Sequence, residues 1–248
     1  MRTNASRRPA LILIPGLLCD DTVWRAQIDA FSATHEVIVP ELDGLDSIPD
    51  MAAALLERAP AEFALAGHSL GGRIALEAVR QAPLRVTRLA LLDTGVHACT
   101  AGEPARRREL LSIACLEGMR AVAREWLPPM VHPDRHSDPA VMKPLEAMVE
   151  RQTPDTFRNQ IEALLNRPDA GPLLESIRCP TLVLCGREDG WSPLAQHEQI
   201  ASAIRGSILA VIDTCGHMAP FERPAEVTRE LTRWLHLQLA FRLRPAGQ

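Results

Sequence analysis

The chain has 248 residues, of which 46% are hydrophobic and 23% charged, with a formal net charge of −4. These values suit one large soluble domain, or one domain with an inserted cap, that buries its core without disulfides or metals. The mildly acidic balance gives no electrostatic case for a nucleic-acid partner or an anionic membrane.

The first residues, MRTNASRRPALILIPGLL, set basic side chains ahead of an apolar run and so imitate a secretory leader. Pro15-Gly16 interrupts that run and no small-x-small cleavage site follows, which favours a strand ending in a loop. No uninterrupted apolar run approaches the roughly 20 residues needed to cross a bilayer. Six runs read as strands: Ala10–Ile14, Val37–Pro40, Phe63–Ala66, Leu89–Leu92, Thr181–Leu184 and Ile208–Ile212. Each is continuously apolar, the pattern of parallel strands covered by helices on both faces.

Helical patterns lie between the runs. Thr22–Ala33 places Trp24, Ile28 and Phe31 on one face, with Asp20 or Asp21 as N-cap. Leu70–Gln81 opens on Gly71 and Gly72, and Pro224–Leu235 starts with a first-turn proline. Strand–helix–strand repetition predicts an α/β fold with an open, mostly parallel sheet and right-handed crossovers. The interval from Gly102 to Glu175 breaks this rhythm: it has helix formers and no convincing strand. Its seventy-odd residues exceed a single crossover, so 102–175 is expected to form a helical cap on a core made of 1–101 and 176–248. Past Trp234, the alternating Leu235, Leu237, Leu239, Phe241 and Leu243 are read as the frayed end of the last helix.

The six cysteines include no C-x-x-C pair and several sit in apolar runs, so free and mostly buried thiols in a reducing cytoplasm are expected. Arg106, Arg107 and Arg108 are read as a solvated helix face. His132 and His136 flank Pro133-Asp134 in a loop-like stretch, a poor metal pair, and no metal or organic cofactor is expected. His68, His97 and His197 are read as site-edge or surface residues.

The strongest local signal is Gly67-His68-Ser69-Leu70-Gly71, between a predicted strand and a predicted helix. A sharp turn there would project the serine hydroxyl above the carboxyl ends of the strands, with the glycines allowing close approach. A serine hydroxyl needs a base, and imidazole titrates near neutrality. His217, in Asp213-Thr214-Cys215-Gly216-His217-Met218, follows the last predicted strand and should emerge at the same edge. Asp189, in Gly186-Arg187-Glu188-Asp189-Gly190, follows the preceding strand and would orient the imidazole. Asp93 and Glu188 compete for that acid role. An oxyanion hole needs two backbone N–H donors. Leu70 follows the nucleophile and Leu17 lies in the turn after the first strand, so these two are expected to supply them.

These segments together resemble the α/β-hydrolase family over almost the whole chain. LILIPGLLCD is similar to its first core strand and oxyanion turn, FALAGHSLGG to its nucleophile elbow, TLVLCGREDGWSP to its acid loop and CGHMAPFERP to its histidine loop. Two departures bear on the acyl pocket and leave the triad untouched. Pro15 precedes Gly16 where members often carry histidine, and Glu41–Ser47 replaces a common glycine-rich loop. The two N-terminal strands of larger members are expected to be missing or shortened.

The resemblance implies a carboxylic ester hydrolase that acts on a small molecule through an acyl-enzyme, and a cytoplasmic monomer or homodimer is expected. Trp126, Met130, Trp191 and Met218 are candidate lining residues for a mainly apolar substrate. Thioesterase, C–C hydrolase, perhydrolase and hydroxynitrile lyase chemistries share the triad, as would a weakly catalytic small-molecule receptor. A dinucleotide-binding protein is disfavoured because no G-x-G-x-x-G follows the first strand.

Overall fold

A computed structural model describes residues 8–237. Six strands, β1 (Ala10–Ile14), β2 (Glu36–Ile38), β3 (Phe63–His68), β4 (Val86–Leu92), β5 (Thr181–Gly186) and β6 (Ile208–Ile212), form one sheet in the order β2-β1-β3-β4-β5-β6. Every pairing is parallel. The order reverses between β1 and β3, and a cleft opens at such a switch point beyond the carboxyl ends of the strands.

Among the described residues ten α-helices accompany the sheet: α1 (Arg25–Phe31), α2 (Ile48–Arg58), α3 (Leu70–Gln81), α4 (Glu103–Glu117), α5 (Met119–Trp126), α6 (Pro139–Glu150), α7 (Pro154–Leu165), α8 (Leu194–Ala203), α9 (Ala219–Glu222) and α10 (Pro224–Leu235). α1 packs on α10, which lies across β4, β5 and β6, while α3 covers β1, β3 and β4 and α8 covers β5 and β6. Helices therefore seal both faces of the central strands, and β1, β3 and β5 are buried at every position.

The outer strands differ from the expectation of full burial. β2 is half-buried throughout, and β6 leaves Ile208 41% exposed, because each has a neighbour on one side only. The Thr22–Ala33 segment also departs from one continuous helix. Asp21–Trp24 is a 3-10 turn, capped by the Asp20 carboxylate accepting from the Thr22 N–H at 2.9 Å, and α1 starts only at Arg25. Trp24 is thereby driven into the core.

No strand occurs between β4 and β5, where α4 to α7 and three short 3-10 turns lie instead. Phe157 and Ile161 on α7 and Met148 on α6 are buried, so this segment has its own apolar packing. Several contacts tie it to the sheet's carboxyl edge. The Leu18 N–H donates to Gln160 Oε1 at 2.9 Å, the His217 N–H to the Met130 carbonyl at 2.8 Å, and Arg151 pairs with Asp20 at 2.7 Å. Leu239, Phe241 and Leu243 lie outside the described residues. Cys19, Cys185 and Cys215 are buried free thiols, Cys99 and Cys179 are half-buried, and Cys115 is exposed. Among the described residues no helix is long and apolar enough to cross a membrane.

Candidate active site

The chain leaves β3 at His68 and turns into α3 through Ser69, whose φ of 54° and ψ of −114° are rarely adopted by a side-chain-bearing residue. Such strain costs on the order of 1–3 kcal/mol and persists only where the surroundings enforce it. Two glycines make the turn possible. A Cβ on Gly67 would stand 2.2 Å from the Gly71 carbonyl oxygen, and one on Gly71 would stand 2.3 Å from that of Ile14. The Thr94 hydroxyl donates to the Ser69 carbonyl at 2.7 Å and fixes the turn from β4's end.

Three side chains meet at this edge. The Ser69 hydroxyl lies 2.8 Å from His217 Nε2, and His217 Nδ1 lies 2.8 Å from Asp189 Oδ2. With Nδ1–H donating to the carboxylate, Nε2 is left unprotonated and accepts from the serine. The second oxygen of Asp189 accepts from the Trp191 and Ser192 N–H groups, each at 2.8 Å. Burial alone would raise the Asp189 carboxyl, but His217 and these two N–H groups outweigh it and hold its pKa below the ordinary value.

The competing acids take other roles. Asp93 ends β4, is fully buried and accepts from the Gly186 N–H at 2.9 Å, with no contact to His217 Nδ1. Burial, then the neighbouring Asp189 charge, pushes its pKa well up and favours the neutral acid. Glu188 turns to the histidine loop and accepts from the Cys215 N–H at 2.9 Å.

Leu17 and Leu70 both border the cavity in front of Ser69. Leu18 N–H is taken by Gln160, whereas the Leu17 and Leu70 N–H groups have no acceptor among the described residues. Gly16 brings this turn against the nucleophile: a Cβ there would stand 3.1 Å from the Ser69 Cβ.

The cavity holds about 300 Å³. Trp126, Met130 and Trp191 line it, with Leu110, Phe157 and Leu164 adding apolar wall. Met218 does not line it. The chain turns into α9 at that residue, which buries its side chain completely.

Other expectations also need correction. His68 and His197 are buried, not peripheral. His68 Nε2 donates to the His217 carbonyl at 2.8 Å, and His197 Nε2 accepts from the Thr94 N–H at 3.0 Å. Arg107 is buried against Glu103 because it lies on the inner face of α4, whereas Arg106 and Arg108 are exposed. Glu222 was not anticipated from the sequence. Its buried carboxylate accepts from the N–H groups of His132 at 2.8 Å, Gly216 at 3.1 Å and Met218 at 3.2 Å, and so shapes the loop carrying His217. The signal available was the glutamate five residues after His217 in the family-like segment CGHMAPFERP. Among the described residues no group of three His, Cys, Asp or Glu side chains could hold a metal ion.

The model of the alpha/beta hydrolase family matches residues 11–230. The chain belongs to the alpha/beta hydrolase family. It is 28% identical, over 86% of its length and 92% of the relative's, to a pimeloyl-[acyl-carrier protein] methyl ester esterase of Aromatoleum aromaticum. A malate-bound structure of a thermophilic esterase from Thermogutta terrifontis superimposes with a TM-score of 0.86 at 29% identity, covering 92% of this chain and 90% of that one. An enol-lactonase from Burkholderia xenovorans shares the fold, with a TM-score of 0.84 at 23% identity over 94% and 93% of the two chains. This alpha/beta hydrolase is accordingly a hydrolase enzyme.

Proposed function

We propose that the protein is a serine hydrolase that cleaves carboxylic esters through a covalent acyl-enzyme. The observation that carries this reading is the continuous relay from Ser69 Oγ to His217 to Asp189, with both contacts at 2.8 Å, at the mouth of a cavity. The names of the esterase relatives support the same reaction class.

In this scheme Ser69 Oγ attacks the ester carbonyl carbon as His217 Nε2 takes its proton. The carbonyl oxygen becomes an oxyanion facing the Leu17 and Leu70 N–H groups, a stabilisation worth roughly 3–4 kcal/mol per donor in comparable sites. Asp189 holds the imidazole in the required tautomer and offsets the imidazolium charge. His217 returns the proton to the leaving alkoxide, the C–O bond breaks and Ser69 carries the acyl group. Water, deprotonated by His217, then attacks the acyl carbon, the bond to Ser69 Oγ breaks, and His217 returns the proton to Ser69 as the acid leaves.

Residues 102–175 act as a cap that supplies the apolar wall through Trp126, Met130, Phe157 and Leu164. The test is hydrolysis of p-nitrophenyl esters over short to long acyl chains by the wild type and Ser69→Ala. A chain-length optimum that vanishes in the variant is the expected result. No hydrolysis of any ester by folded wild-type protein would contradict the reading and favour lyase or C–C bond chemistry.

A further inference from the structure

One end of the cavity is not apolar. Arg73, Arg106, Arg107 and Arg167 all line it, together with a single carboxylate, Glu103. Arg73 sits one helical turn beyond Ser69 on α3, its N–H directed at the Ser69 carbonyl at 3.4 Å. Its side chain joins the cluster through the His97 carbonyl, which accepts from Arg73 Nη1 and from Arg167 Nε, each at 2.9 Å. Arg107 and Arg167 both grip Glu103, the former through Nε and Nη2 at 2.8 and 2.6 Å, the latter through Nη1 and Nη2 at 2.8 and 2.7 Å.

Glu103 thus pairs with two of the four guanidiniums, and neither Arg73 nor Arg106 has an ion-pair partner among the described residues. Arg107 and Arg167 are buried and paired, whereas Arg73 is half-buried and Arg106 exposed, so this end of the cavity faces an excess of positive charge. Burial, then repulsion from Arg167, lowers the Arg73 pKa to about 9, which still leaves it charged at neutral pH. Asp169 favours that charge without reaching ion-pair distance. A donor is also left over. Trp126, on the same cavity, has a buried Nε1–H with no acceptor among the described residues. The grip on Glu103 shows that the guanidiniums are spaced for a planar carboxylate.

We propose that this end of the cavity is a carboxylate subsite, and that the substrate is an ester bearing a second, free carboxylate remote from the scissile bond. The proposal rests on Ser69 being an ester-cleaving nucleophile, and it replaces a mainly apolar substrate with a half-ester whose chain lies along the apolar wall.

The test compares mono-p-nitrophenyl esters of succinic to suberic acid with p-nitrophenyl esters of the monocarboxylic acids of the same chain length. At the best length, the half-ester should have a kcat/KM at least tenfold above its neutral counterpart. That ratio should fall towards one in Arg73→Gln and decline in Arg106→Gln, an exposed position where folding is not at stake. A wild-type ratio of one or less at every length, or a preference untouched by both variants, overturns the subsite. Titration calorimetry of Ser69→Ala with the free dicarboxylic and monocarboxylic acids reads the same preference without turnover. Dicarboxylates should bind at least tenfold more tightly, and equal binding overturns the proposal. Neutral esters hydrolysed without anion preference would sink the subsite alone, whereas inertness of both series would sink the ester-cleaving reading.

Discussion

His68 Nε2 lies 2.8 Å from the carbonyl oxygen of His217, so it carries a proton and donates it there. The His217 N–H is meanwhile held by the Met130 carbonyl at 2.8 Å. The proposed base is therefore clamped on both sides of its backbone, by the residue before the nucleophile and by the segment between β4 and β5.

That clamp makes stability sensitive to acid. Burial, then the nearby His217, lowers the His68 pKa to about 3, while an unfolded imidazole takes its proton near 6.5. Asp93 Oδ2, 3.9 Å from Nε2, offers little compensation because burial holds it neutral. Between those two pKa values the unfolded chain binds the extra proton. Stability present above about pH 6.5 should therefore drain as pH falls towards 3, by up to about 1.4 kcal/mol per pH unit. His197, also lowered by burial, acts in the same direction. In urea unfolding between pH 7 and 5, His68→Gln should lose less stability than the wild type, and parallel curves would contradict the assignment.

Asp189 and Asp93 should separate cleanly. Asp189→Asn leaves the shape intact but no longer fixes the His217 tautomer, and kcat should drop by roughly 10⁴-fold. Asp93→Asn keeps an oxygen for the Gly186 N–H and should retain most activity. The reverse ranking in ester hydrolysis would move the acid role to β4.

Gly16→Ala tests the oxyanion turn. Its Cβ would stand 2.8 Å from His68 Nδ1 as well as 3.1 Å from the Ser69 Cβ, so the turn must shift away from the nucleophile. Displacing one donor by a fraction of an ångström should lower kcat by roughly ten- to a hundredfold with a smaller effect on KM. Wild-type kcat in this variant would place the oxyanion donors elsewhere.

Glu222→Ala removes one side chain that satisfies three N–H groups. Leaving them unpaired should cost about 3 kcal/mol or more and reduce kcat by loosening the His217 loop. Urea unfolding and steady-state kinetics on the same preparation check both effects.

The loops that bring Ser69, Asp189 and His217 together were legible because each follows the carboxyl end of a strand, within five residues of it, and short apolar runs mark those strands locally. Ala10–Ile14 and Ile208–Ile212 are bounded in the structure as their apolar runs suggest, since nothing polar interrupts them. β4 begins earlier than its apolar run because Val86 and Arg88 pair with Phe63 and Ala64 through their backbone, with Thr87 bulged between them. The roles of His68, His197, Arg107 and Glu222 were not legible. His68, His197 and Glu222 each meet a partner far along the chain, such as His217 at a separation of 149 from His68, and spacing carries no information about such contacts. The cavity's charge was hidden for the same reason: Arg73, Arg107 and Arg167 come from three separate segments that meet only when folded.

The most direct test of the central claim is covalent trapping with a p-nitrophenyl phosphonate, followed by peptide mass spectrometry. One adduct is expected, on Ser69, with stoichiometric p-nitrophenol release and none from Ser69→Ala. Labelling at another residue, or equal labelling of the variant, would contradict Ser69 as the nucleophile.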